Sequence, residues 1–180
     1  MTEPKETEVK LRLESPGAMR ERLARLGARL ARARHFEDNV LYDDPAGSLA
    51  GAGAVLRLRR TPHASTLTFK GPRELRGGIK TREERESLVE SAEAVDAILE
   101  HLGYRPVFRY QKYRESWSCR GQQVEIDETP IGAFLEIEGD AAGIAAVASE
   151  LGYAASDFLA ESYVGLFRKG GGRGDMVFPS

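Results

Sequence analysis

Acidic and basic residues recur at alternate positions in this sequence, in short segments whose intervening residues are apolar. In ETEVKLRL, Glu6, Glu8 and Lys10 share one face, while Val9, Leu11 and Leu13 share the other. The pattern returns at Arg57 and Arg59, Lys70, Arg82 with Glu84 and Glu86, Lys112 and Arg114, Glu125 and Asp127, and Glu136 and Glu138. Two carboxylates on one strand face suit a hard divalent cation such as Mg²⁺, which prefers oxygen ligands. Lysine offers phosphate oxygens a point charge, and arginine offers them a bidentate fork. Acids and bases in this alternation therefore point to a metal–polyphosphate complex.

Such charges can meet only if strands carry them to one place. Residues 6–13, 34–43, 54–60, 65–71, 79–88, 106–118, 122–128 and 132–139 read as strands, separated by turn signals such as PAGSLAGAG, Arg120-Gly121 and Thr129-Pro130. Ser15-Pro16 opens a helix that Met19, Leu23, Leu26 and Leu30 extend to about Arg32. A second helix runs from Ser91 to a stop at Gly103, and a third from about Ala141 to Leu151. If Val9, Leu11, Leu56, Leu58, Leu67, Phe69, Leu135 and Ile137 pack on these helices, the charged faces look into solvent or into a barrel. Inside a barrel, charges must be paired or bound to ions, because desolvating them alone is costly. Periodicity permits both an open sheet and a closed one.

The chain's 180 residues, 41% hydrophobic and 30% charged, suffice for one core and imply one α+β domain. A formal net charge of -2 and a pI near 6.0 argue against a surface built for nucleic acid or an anionic membrane. The arginines at 20, 22, 25, 29 and 32 read as a solvated helix face, since no aromatics interleave them. A single cysteine, Cys119, excludes an internal disulfide and is expected to pack in the interior. No leader or membrane span is apparent, so a cytoplasmic location is expected. His35, His63 and His101 lack metal-ligand spacing and read as surface residues.

In their order along the chain, ETEVK, LRLR, TFKGP, REERE, QKYRESW, VEID and GAFLEIE resemble the CYTH domain. This is the family of triphosphate tunnel metalloenzymes that includes thiamine triphosphatases, inorganic triphosphatases and class IV adenylate cyclases. The resemblance implies an eight-stranded antiparallel β-barrel with flanking helices over residues 1–168; the glycine-rich stretch 169–180 reads as a flexible tail. It further implies Mg²⁺ or Mn²⁺ as cofactor, with Glu6, Glu8, Glu84, Glu86, Asp127, Glu136 and Glu138 as ligands. Lys10, Arg57, Arg59, Lys70, Arg82, Lys112 and Arg114 would grip a triphosphate, with Lys10, Lys70, Arg57 and Arg59 also catalytic. Tyr163, in ESYVGLF, would close or cap the barrel mouth. The expected activity is hydrolysis of the terminal phosphate of inorganic triphosphate, thiamine triphosphate or a nucleoside triphosphate. Conversion of ATP to cyclic AMP and pyrophosphate is the alternative, and non-catalytic polyphosphate binding a further one. The expected partner is a triphosphate-containing small molecule, with neither nucleic acid nor membrane, and the chain is expected as a monomer or homodimer.

Overall fold

The computed structural model describes residues 5–179. Nine antiparallel strands form one sheet: β1 (Lys5–Leu13), β2 (Arg29–Asp43), β3 (Val55–Arg60), β4 (Ser65–Lys70), β5 (Glu74–Arg76), β6 (Ile79–Val89), β7 (Arg105–Cys119), β8 (Gln122–Thr129) and β9 (Gly132–Glu138). Eight of them follow the order β1-β9-β8-β7-β2-β3-β4-β6, and β6 pairs back onto β1. The sheet is thus closed, and β5 is a short addition to the β6 edge. β1 makes the closure. It places Glu6 opposite Arg82 and Glu8 opposite Lys80 on β6, then Glu8 opposite Glu138 and Lys10 opposite Glu136 on β9.

Alternation along each strand sends apolar side chains outward to helices and charged ones inward. Val9, Leu11, Leu135 and Ile137 are fully buried beneath α1 (Pro16–Arg25) and α4 (Ala141–Glu150), which contribute Met19, Leu23, Ile144 and Val147. Cys119 is buried in this same cluster. α2 (Ser48–Gly51) is a single turn within the β2–β3 loop. On another side of the ring, α3 (Ala92–His101) covers Tyr42, Leu56, Leu58 and Leu67 through Ala92, Val95 and Leu99. α5 (Tyr163–Lys169) packs against Phe108, Phe134 and Met176 through Tyr163 and Phe167, filling the end of the ring toward which Phe134 points. No described helix is long and apolar enough to cross a membrane.

Two departures from the sequence-based expectations concern the first helix and the tail. The first helix ends at Arg25 instead of near Arg32: Gly27 adopts φ +74°, a left-handed stop, and β2 begins at Arg29. Leu30, expected on the helix's buried face, is a 52% exposed strand residue. The segment expected as a flexible tail is docked. Met176 is 1% exposed, its N–H donates to the Arg109 carbonyl, and its own carbonyl accepts from the Gln111 N–H. Asp175 accepts from the Arg109 N–H, and Phe178 lies 5.3 Å from the Tyr113 ring. β8 pairs with β7 only from Tyr113 onward, so this segment covers the lower β7 edge.

Candidate active site

The ring encloses a cavity of about 640 Å³. Every strand but β5 contributes a side chain to its wall. Of the site residues expected from the sequence, Glu6, Glu8, Lys10, Arg57, Arg59, Lys70, Arg82, Glu84, Glu86, Lys112, Arg114, Glu136 and Glu138 all line it. Asp127 does not. It is 0% exposed behind the wall, where it accepts from Lys112 Nζ at 2.9 Å, Arg114 Nε at 2.7 Å and the Tyr163 hydroxyl at 2.7 Å. With its oxygens committed to three donors, Asp127 positions cations and is not placed to ligate a metal; this corrects the ligand assignment.

The remaining pairs interleave signs around the cavity. Lys70 Nζ bonds both Glu6 oxygens at 2.9 Å and meets Glu84 at 2.9 Å. Lys80 Nζ bonds Glu8 at 2.7 Å, and Arg82 Nε bonds Glu6 at 3.1 Å. Lys10 donates to Glu136, as does Arg114, which also meets Glu125. Burial alone would raise the Glu136 pKa, but Lys10, Arg114 and Lys112 hold it well below the usual carboxylate range. Glu86 is more exposed; it accepts from Arg59 Nη2 at 3.0 Å and lies 3.7 Å from Arg57.

Glu138 breaks the pattern. Among the described residues it has no ion-pair partner, and its carboxyl is pushed up to about 7 by burial and by Glu6, Glu125, Glu84 and Glu8. No three acidic, histidine or cysteine groups among the described residues form a ready-made metal shell, because the carboxylates are drawn onto lysines and arginines. The donor set nevertheless fits a hard divalent cation. All its groups are carboxylate oxygens, they come from adjacent strands, and their mutual repulsion at Glu138 is what a bound cation relieves.

Lys80, Glu37 and His35 line the wall but were not among the expected site residues, whereas Tyr163 was expected at the mouth. Parity puts Lys80 on one face with Arg82 and Glu84, yet it was assigned no role. Glu37, 2% exposed, stands 3.6 Å from Lys112, 3.7 Å from Arg59 and 3.4 Å from His35 Nε2. Burial opposes the charge on Glu37, yet these cations and Arg114 hold it well below the ordinary range. His35, expected at the surface, lines the cavity, its Nδ1 held by the Ala33 carbonyl at 3.0 Å. Tyr163 on α5 is buried, with Lys10 Nζ 3.6 Å from its ring centre and its hydroxyl on Asp127. It caps one end of the cavity and braces two of its cations.

The fold and sequence have relatives. A protein of Methanocaldococcus jannaschii named "putative adenylate cyclase" is 28% identical over 134 residues, covering 74% of this chain and 75% of the relative. The solved structure of a Vibrio parahaemolyticus protein described in the same words aligns with a TM-score of 0.81 at 19% identity, over 93% of this chain and 99% of that one. A Hippeastrum protein, described as an adenylyl cyclase candidate that reveals a dominant triphosphatase activity, aligns at 0.70 and 21% identity, over 92% and 96%. At such identities the structural matches show the fold alone. The family model of the CYTH domain matches residues 4–163, nearly the whole of the closed sheet and its helices. The chain belongs to the CYTH domain family.

Proposed function

We propose that the chain is a divalent-metal-dependent enzyme that binds a triphosphate compound in its cavity and hydrolyses the terminal phosphate. One observation carries this reading: carboxylates and cations alternate around a single wall, and one carboxylate, Glu138, is surrounded by others and, among the described residues, has no cation of its own. Glu6, Glu8, Glu136 and Glu138 would hold Mg²⁺ or Mn²⁺, with Glu84 and Glu86 beside a second ion. A divalent cation bound there screens phosphate charge and favours ionisation of an attacking oxygen.

The chain's own cations do the rest. Lys10, Lys70, Arg57 and Arg59 converge from three strands, and Arg82, Lys112 and Arg114 complete the grip on phosphate oxygens. Phosphoryl transfer depends mainly on positioning and on stabilising charge at those oxygens, which fixed guanidinium and ammonium groups supply. In hydrolysis, water oxygen bonds the terminal phosphorus as the bridging P–O bond breaks, releasing orthophosphate and the shortened diphosphate.

The names of the archaeal relative and the Vibrio structure favour a second reading, in which a ribose 3′-hydroxyl attacks the α-phosphorus and pyrophosphate leaves. The Hippeastrum description favours hydrolysis. Incubation of the purified chain with ATP, thiamine triphosphate or inorganic triphosphate, each with Mg²⁺ or Mn²⁺, separates the two. Orthophosphate release that Glu138→Gln lowers at least about 100-fold supports the hydrolase. Cyclic AMP with pyrophosphate supports the cyclase, and tight binding without product overturns both.

A further inference from the structure

The cavity wall is not uniform. Partner positions across the sheet define a row that runs from Lys10 on β1 through Glu136, Glu125 and Ser116 to Arg32 on β2. The next row carries Glu8, Glu138 and Gln123. The cavity residues of β1 and β9 are all ionic. β8, β7 and β2 carry Glu125, Lys112, Arg114 and Glu37, and add Gln123, Ser116, His35 and Arg32, which offer an amide, a hydroxyl, an imidazole and a guanidinium.

β2 is irregular where it matters. Arg32 pairs with Ser116 and His35 with Arg114, so three residues on β2 span two on β7. This bulge brings both side chains to the cavity, although a regular strand would send residues three apart to opposite faces. The ring of His35 is fixed by its Nδ1 contact with the Ala33 carbonyl across the bulge. Its side chain is only 9% exposed, and Nε2 faces Glu37 at 3.4 Å. Gln123 donates through Nε2 to Glu125 at 3.0 Å, and among the described residues its Oε1 accepts nothing. The Gln123 amide and the Arg32 guanidinium, flat groups with donors or acceptors to spare, suit a flat, hydrogen-bonding ligand, whereas a bare polyanion has no use for an amide carbonyl.

Position points the same way. α5 and the docked C-terminal segment fill the end of the ring at Phe134, so an anion seated among Lys10, Lys112 and Arg114 must carry any organic substituent toward the other mouth. Arg32 and Gln123 are exposed there.

We propose that Arg32, His35, Ser116 and Gln123 form a specificity-determining subsite for the organic group of a triphosphate ester, so that the chain prefers a nucleoside triphosphate to inorganic triphosphate. The proposal rests on the reading of the charged cavity as a triphosphate cradle. Calorimetric titration of the full chain with ATP and with inorganic triphosphate, each with Ca²⁺ to slow turnover, tests it. The wild-type chain is expected to bind ATP about tenfold or more tightly than inorganic triphosphate. Gln123→Ala should lower that ratio about fivefold, the effect of one lost hydrogen bond. Arg32→Ala, at an exposed position, gives a second measurement should the first variant not fold. A wild-type ratio near one, or a ratio untouched by both changes, overturns the subsite while leaving the cradle intact. Binding of neither anion overturns the cradle, and the subsite with it.

Discussion

Glu138 and Asp127 are two acids of one barrel interior with opposite surroundings. Asp127 is enclosed by Lys112, Arg114 and the Tyr163 hydroxyl, whereas Glu138 faces other carboxylates. Asp127→Asn leaves two buried cations short of their counter-charge. Breaking such a pair costs about 3 kcal/mol, to be read from urea unfolding. Glu138 has the reverse sign. Its folded pKa of about 7 lies above the ordinary carboxylate value, so the folded state holds the extra proton. The contribution of Glu138 to stability without metal is therefore greatest in acid and declines as pH rises from the carboxylate range to about 7. Glu138→Gln should accordingly stabilise the metal-free chain at pH 8, by about 1 kcal/mol once solvent screening is allowed for, with little effect near pH 4. In the wild type, Mg²⁺ or Mn²⁺ affinity should fall as pH drops through about 7, because the cation and the proton compete for this carboxyl. Calorimetric titrations at pH 6 and pH 8 check this.

The elements explain which residues the sequence disclosed. On β1, β3, β4, β6, β7 and β9, strict alternation carries every charged residue singled out there onto the cavity wall, so parity was sufficient. On β2 the pairing is regular from His35 to Leu41, so alternation puts His35 and Glu37 on one face as well; His35 was weighed only for metal-ligand spacing. Arg32 was missed because the expected helix ran through the bulged stretch Leu30–His35, which has no local glycine or proline to announce it. The end of α1 was misjudged because Leu26 and Leu30 continue the helical spacing past Gly27. Asp127 shows a further limit: alternation tells which face a residue takes, not whether three donors already surround it. The C-terminal segment was hidden by its glycines, although Met176 and Phe178 carry the apolar contacts that dock it. Removing residues 172–180 should bare the β7 edge from Arg105 to Gln111. Size-exclusion chromatography is expected to show self-association of the shortened chain, and a profile unchanged from wild type would refute this role.

At the scale of the molecule, the closed ring separates two environments that the sequence interleaves residue by residue. Apolar residues meet helices outside, and opposite charges meet one another inside, where an open sheet would have left them in water. Closure itself was legible only through the family resemblance, since the alternation of β1 is compatible with either arrangement. The double pairing of β1 also has a kinetic meaning. Glu8 must find Lys80 about seventy residues away and Glu138 about one hundred and thirty away, separations that make ring closure a slow, late event. During synthesis β9 emerges long after β1, so the first strand must wait, its apolar face uncovered, until nearly the whole domain has left the ribosome. A nascent chain arrested before β9 has no complete acidic cluster, which makes cation capture a marker of finished folding and not a guide to it.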